Sequence, residues 1–202
     1  MERWTGLKGV VWDWGDTLMR DIPGNSGPMV SWPHVEAMPG AAQALGALSR
    51  LPVRCVATNA TDSDGLRVAE ALERVGLRRH LTHFFTSGEL GVSKPDPAFF
   101  GCVAREVGIS PRHLLSVGND LRKDIVPAKA VGMVTVWVSG AGIVGPGQPA
   151  EEGAGAEAGS TEEAREQEAA DLIVPDLSHL ARLVPVLSGA GKPPLRDTRT
   201  RG

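Results

Sequence analysis

The chain has 202 residues, 42% apolar and 22% charged, with a formal net charge of −3. These values fit one globular domain with chain enough for a substantial core. They exclude the basic field that a nucleic acid or an anionic membrane surface needs in a partner. Five Trp, four Phe and no Tyr supply no stacking platform for single strands.

The first element is an apolar run from Gly9 to Trp12. It is β-branched and aromatic and far too short to span a membrane, so it reads as a buried strand. It ends on Asp13, followed by Trp14, Gly15, Asp16 and Thr17. A carboxylate at the carboxyl edge of a sheet stands where open α/β sheets bind ligands. It can serve as nucleophile or metal ligand; as a plain turn residue Asp is also common there.

Residues 19–38 form a loop rich in Pro, Gly and Ser, within which Met29, Trp32 and His34 could shield a site; His34 beside Pro33 also reads as plain surface. Pro39-Gly40 opens a helix with Ala41, Ala44, Leu45 and Leu48 on one face. Val53 to Ala57 is the second strand and ends at Thr58-Asn59. Asp62 or Ser63 can cap the next helix, whose expected stripe is Leu66, Ala69, Leu72 and Val75, with Gly76 as its stop. His83 to Thr86 is the third strand, and a loop with Lys94 follows. Asp96 and Pro97 start a helix to about Val107. Leu114 to Val117 is the fourth strand, residues 122–131 a helix, and Met133 to Val138 the fifth strand. Residues 139–170 change composition to Gly, Ala, Glu and Pro and read as a flexible low-complexity insert. Leu172 to Val174 is an edge strand followed by a helix through Leu177, Leu180, Leu183 and Leu187, and 188–202 read as a disordered tail.

Strand–helix alternation of this kind implies an α/β fold: a Rossmann-like three-layer sandwich around a central, mostly parallel sheet, one domain over 1–187. Cys55 and Cys102 sit in apolar contexts and read as buried free thiols. The amino-terminal residues lack a signal peptide's apolar core, and no segment reaches transmembrane length, so the expectation is a cytoplasmic protein without a membrane partner.

Four polar clusters fall at strand ends: Asp13, Thr58-Asn59, Lys94, and Asn119-Asp120 with Asp124. One pocket at one sheet edge can collect them. A carboxylate nucleophile, a hydroxyl and an ammonium for phosphate oxygens, and oxygen ligands for a hard divalent ion form a coherent set for phosphoryl transfer. The ordered motifs Asp-x-x-x-Thr-Leu from Asp13, strand-Thr58-Asn59, Gly91-x-x-Lys94-Pro-Asp-Pro, and Val117-Gly-x-Asp120-x-x-x-Asp124 resemble those of the haloacid dehalogenase-like (HAD) hydrolase superfamily.

The resemblance covers 9 to about 187 and implies roles residue by residue. Asp13 matches the nucleophile that forms an aspartyl intermediate and ligates magnesium (Mg2+). Thr58 matches the phosphate-binding hydroxyl and Asn59 the turn after it. Lys94 matches the lysine that steadies nucleophile and phosphate, and Asn119 and Asp124 the two acids of the fourth motif. Asp120 can compensate for an amide at 119, and the Gly15 carbonyl matches a metal ligand.

Two residues depart from the pattern. Gly15 stands where related phosphatases usually carry a second Asp as general acid, and Asp16 comes one position late. Asn119 stands where the motif usually begins with Asp; it can ligate magnesium without adding negative charge. Residues 19–38 are too short for a helical cap. The expectation is a magnesium-dependent phosphatase acting through Asp13 on a phosphorylated small molecule or macromolecule. Its open site is compatible with a homo-oligomer. Two alternatives stay open: a catalytically degenerate domain that binds a phosphorylated ligand or protein, and a hydrolase of C–P or C–halogen bonds.

Overall fold

In the computed structural model, six strands form one parallel sheet: β1 (Gly9–Trp12), β2 (Val53–Thr58), β3 (His83–Thr86), β4 (Leu114–Gly118), β5 (Val134–Val138) and β6 (Leu172–Val174). Their order is β3-β2-β1-β4-β5-β6, each neighbour pairing parallel. The structure describes residues 2–140 and 168–187. The expected insert lies outside the described residues from 141 to 167, as does the expected tail at 188–202. No helix among the described residues is long and apolar enough to cross a membrane.

Alternation along the strands builds a core on each face of the sheet. Val10, Trp12, Val56, Leu115 and Val117 face one cluster, while Val11, Cys55, Ala57 and Leu114 face the other. The helices that cover them are α1 (Glu2–Thr5), α2 (Ala41–Ala47), α3 (Gly65–Arg74), α4 (Ser87–Leu90), α5 (Pro97–Glu106), α6 (Val126–Ala130) and α7 (Leu177–Leu187). The predicted apolar face of α2 is buried in full. That of α3 is not: Leu66 is exposed, and Val68, Ala69 and Leu72 turn inward with Gly65. The cause is the helix start. Asp64, not Asp62 or Ser63, accepts from the Arg67 N–H as cap, and the Ser63 hydroxyl donates to Asp62. Gly65 then packs against the Phe84 backbone, where a Cβ would come within 2.8 Å of its carbonyl oxygen. Cys102 also departs from expectation, being half-buried beside Arg105, whereas Cys55 is buried and its thiol is pushed up to about 12 by desolvation.

Residues 19–38 fold into a wall rather than a free loop. Met19 bridges to Gly15 on one side and Ala37 on the other, and a short 3-10 turn spans Met29–Ser31. Met29 and Trp32 are buried, while His34 is exposed. The Trp32 indole donates to the Gly27 carbonyl at 3.0 Å. Arg74 of α3 donates to the carbonyls of Val30 at 2.8 Å and Trp32 at 2.7 Å.

The sheet order reverses direction at β1: the chain moves to β2 and β3 on one side, then crosses to β4 on the other. The crevice between the carboxyl ends of β1 and β4 is therefore the natural ligand site of the fold.

Gly40 joins the wall to α2 at φ 82°, and a Cβ there would lie 2.4 Å from the Ser178 nitrogen. Both the left-handed backbone and the clash oppose a side chain. Gly40→Ala is expected to lower the unfolding free energy by about 2–4 kcal/mol, read from urea denaturation. A change under about 0.5 kcal/mol would contradict the close approach of Gly40 to Ser178 of α7.

Candidate active site

Asp13 immediately follows β1, and its N–H donates to the Val117 carbonyl of β4 at 2.9 Å. This bond places the carboxylate in the crevice. Each of its oxygens has a distinct partner: Lys94 Nζ donates to Oδ1 at 2.6 Å, and Thr17 Oγ1 lies 2.9 Å from Oδ2. Lys94 Nζ also donates to Asp124 Oδ1 at 2.7 Å. The ammonium thus bridges two carboxylates while only 5% exposed.

Lys94 reaches this position because Asn59 clasps its backbone. The Asn59 carboxamide donates to the Lys94 carbonyl at 2.7 Å and accepts from the Lys94 N–H at 2.8 Å. The side chain of Asn59 is thereby engaged with the Lys94 backbone. Asp96 then caps α5 by accepting from the Ala98 N–H, with Pro97 in the first turn. Phe99, fully buried, places its ring 5.8 Å from the ammonium.

Asp124 lies on a single π turn, Leu121–Ile125, where the Val126 N–H donates to the Leu121 carbonyl. Pro127 follows and has no N–H to extend a regular α-helical ladder backwards. The expected helix over 122–131 is therefore a π turn continued by the short α6. Asp124 folds back onto the end of β4, and only a glycine at 118 permits it. A Cβ on Gly118 would stand 2.4 Å from the Asp124 Cβ. Asp124 Oδ2 accepts from the Asp120 N–H at 3.0 Å. Asp120 itself caps this turn, accepting from the N–H groups of Arg122 and Lys123, and pairs with Lys123 Nζ at 3.3 Å. Its Oδ1 is held by the turn, and the residue lines the same cavity as Asp13 and Asp124. Burial opposes its ionisation, but the bonds from Lys123 and Arg122 outweigh this and hold it below the ordinary carboxylate range.

Thr17 stands in the first motif, and only the fold shows what its side chain touches. Its hydroxyl stands between Asp13 and Asn119, 3.1 Å from Asn119 Oδ1. A hydroxyl has one proton, so donation to Asp13 is satisfied together with Asn119 when the amide turns its NH2 to Thr17 and frees its oxygen. The Asn119 carbonyl is fixed separately by the Trp137 indole at 2.9 Å. Thr58, at the end of β2 and 6% exposed, accepts from the Ala60 N–H at 3.2 Å and keeps its own proton to donate. Asp16 adopts φ 54° and accepts from the Asp21 N–H at 2.9 Å, which makes it a brace of the turn.

These residues line one open cavity of about 310 Å³. It gathers Asp13, Gly15, Thr58, Asn59, Lys94, Asn119, Asp120 and Asp124, all eight residues singled out in the sequence. Its side chains comprise five carboxylates and two ammoniums. Burial first, and the neighbouring Asp13 second, push the Asp124 carboxyl up to about 7. Burial works against the Lys94 charge, but Asp13 and Asp124 more than offset it and hold the ammonium protonated above its ordinary range.

The donor chemistry fits a hard divalent cation. Carboxylate and amide side chains and Gly15 line an acidic cavity, and no softer ligand lines it among the described residues. The set draws on two buried-side carboxylates plus neutral oxygens; among the described residues no three His, Cys, Asp or Glu side chains form a ready cluster.

Residues 27–132, just over half the chain, match the family model described as haloacid dehalogenase-like hydrolase. The chain belongs to the haloacid dehalogenase-like hydrolase family. A second model of HAD-hydrolase-like proteins matches 91–180. Over 69 residues this family member is 36% identical to a phosphoserine phosphatase of Thermus thermophilus, covering 34% of this chain and 28% of that protein. It is 42% identical over 69 residues to a glyceraldehyde 3-phosphate phosphatase of Methanopyrus kandleri, covering 34% and 30%. It is 34% identical over 108 residues to a phosphoglycolate phosphatase of Escherichia coli, covering 54% and 39%. Each match thus spans well under half of the relative's length. The fold is shared with an uncharacterized protein from Listeria monocytogenes serotype 4b, at TM-score 0.67 and 21% identity, covering 91% of this chain and 99% of that one. The model match at 27–132 begins beyond Asp13, so the place of Asp13 in this HAD site rests on its geometry.

Asp124 keeps its proton to about pH 7 in the folded protein, whereas an unfolded Asp releases it near 3.8. The folded state binds more protons across that window, so this group makes stability fall as pH rises through it. Asp124→Asn removes the titration. Urea unfolding in chelator between about pH 4 and 7 should show the wild type losing stability relative to this variant. Parallel curves would contradict the assignment.

Proposed function

We propose that this HAD-family chain is a magnesium-dependent phosphomonoester hydrolase that transfers the phosphoryl group to Asp13 and then to water. The observation that carries the reading is the Asp13 carboxylate, held at the switch point of the sheet by Lys94 on one oxygen and Thr17 on the other. Such a group is fixed in position and direction before substrate arrives, which lowers the cost of reaching an in-line geometry. The phosphatase names of its relatives favour phosphorus as the centre attacked.

Magnesium would be held by Asp13, Asp124, the Asn119 amide oxygen and the Gly15 backbone carbonyl. When bound it neutralises charge between the acidic cavity and an anionic substrate. The Thr58 hydroxyl donates to a non-bridging phosphate oxygen. Lys94 supplies positive charge to the phosphoryl group in flight while holding the nucleophile. Asp13 attacks phosphorus and the bond to the leaving alkoxide breaks; water then attacks the same phosphorus and the Asp13–phosphorus bond breaks, restoring the carboxylate. Asn59 acts through Lys94, and Asp120 through the turn that carries Asp124.

No acid stands two residues after the nucleophile, so an alkoxide must take its proton from solvent. The reading therefore predicts ready hydrolysis of activated aryl phosphates and slow hydrolysis of alkyl phosphates. With a phosphomonoester panel, activity is expected to need magnesium, to vanish in chelator, and to fall by about 10³-fold or more in Asp13→Asn. Undiminished turnover in Asp13→Asn would reject Asp13 as nucleophile. Absence of turnover on every ester would favour the binding-domain reading that Gly15 and Asn119 motivate.

Gly15 has open space in the direction of a side chain, with nothing within 4 Å of an added Cβ, and its backbone is not in the left-handed region. An acid can therefore be restored. Gly15→Asp is expected to raise turnover of alkyl phosphates by about 10–100-fold, within the usual span of general acid catalysis, and to change aryl phosphates far less. Equal effects on both classes would contradict the missing-acid account.

A further inference from the structure

A second cavity of about 200 Å³ opens directly beside the catalytic one and shares Gly15, Asp21 and Thr58 with it. Trp14, Trp32 and Met29 line it together with Asp62. We infer that this cavity receives the leaving group of the substrate, and that it selects a small leaving group bearing a positive charge over one bearing a negative charge. The inference rests on the phosphatase reading and names its substrate class.

Position comes first. In this proposal a phosphoryl group held by Asp13 and Thr58 directs its ester oxygen toward Gly15, which both cavities share and where an added Cβ would meet nothing within 4 Å. The cavity begins there. It has room for roughly six or seven groups of the size of a water molecule, which suits a leaving group of a few carbon atoms. It is also built rather than incidental. Trp32 is buried and tied to Gly27, and Arg74 anchors the wall through the Val30 and Trp32 carbonyls.

Charge decides the selectivity. Among the described residues, Asp21 and Asp62 are the only ionisable side chains that line this cavity, and both are acidic. Neighbouring cations have partners of their own. Arg74 is bound to backbone carbonyls, Arg20 pairs with Glu36 at 3.2 Å, and Arg67 donates to the Asp62 carbonyl oxygen rather than its carboxylate. Lys123 lines the catalytic cavity and pairs with Asp120. An ammonium in the side cavity meets two carboxylates among apolar and indole side chains. A carboxylate in the same place meets the same two acidic groups and is disfavoured beside them.

The test uses three phosphomonoesters of nearly equal size: phosphoethanolamine (cationic), 2-hydroxyethyl phosphate (neutral) and phosphoglycolate (anionic). Each is measured as a competitive inhibitor of p-nitrophenyl phosphate hydrolysis, so slow turnover of an alkyl ester does not hide its binding. The inhibition constants are expected to rise in the order cationic, neutral, anionic, with about tenfold between the extremes at low ionic strength and less at high salt. In the double variant Asp21→Asn, Asp62→Asn the ratio between extremes should shrink to about twofold; a ratio within one variant is insensitive to any change in its overall rate. Equal or tighter binding of phosphoglycolate, or an ordering that survives the double substitution, overturns the inference while the phosphatase reading stands. Failure of the folded protein to hydrolyse p-nitrophenyl phosphate with magnesium removes both.

Discussion

The site depends on one buried ammonium. Lys94 Nζ is the shared partner of Asp13, at the end of β1, and Asp124, beyond β4, while Asn59, beyond β2, holds its backbone. A lone charge at this depth is prohibitive, and a buried pair broken by removing one partner typically costs about 3–5 kcal/mol. Two carboxylates beside one cation leave negative charge in excess, which shows in the raised Asp124 carboxyl. That excess is also what prepares the cavity for a divalent ion. Structural and chemical demands therefore meet in the same three groups.

The remaining scaffold serves this meeting. The sheet order places β1 between β2 and β4, so that their carboxyl ends deliver Asp13, Thr58 and Asn119 to one edge. Gly118 removes the Cβ that would exclude Asp124, and the π turn before Pro127 aims that carboxylate inward. π turns recur where a regular helix cannot present a functional side chain. On the opposite flank stands the wall at 19–38. It is fixed from behind by Arg74 and gives the site an aromatic, acidic margin without closing it.

Much of this was legible in the chain. The apolar run ending on Asp13, the strand ending at Thr58, and Lys94 locked ahead of Asp96-Pro97 each carry a local signal, because strand length, carboxylate placement and capping are decided within a few residues. What stayed hidden was decided across the fold. The Asn59 carboxamide is bound to a backbone 35 residues away, and Thr17 contacts Asn119 at a separation of 102. Asp120 looked like a ligand because its residue type suits a metal; that its Oδ1 also accepts from two N–H groups of the turn beside it shows only in the fold. Leu66 looked like core because its spacing fits a helix; Gly65 packing on Phe84 sets the rotation of α3 instead. Tertiary contact overrode local pattern in each case.

The proposed chemistry turns on attack of Asp13 at phosphorus. The most direct measurement is the stereochemical course of hydrolysis of a phosphomonoester made chiral at phosphorus. Two in-line displacements, through an aspartyl-phosphate on Asp13 and then by water, give net retention of configuration. Net inversion would mean that water attacks the substrate directly, and would contradict the role assigned to the carboxylate that Lys94 and Thr17 hold in place.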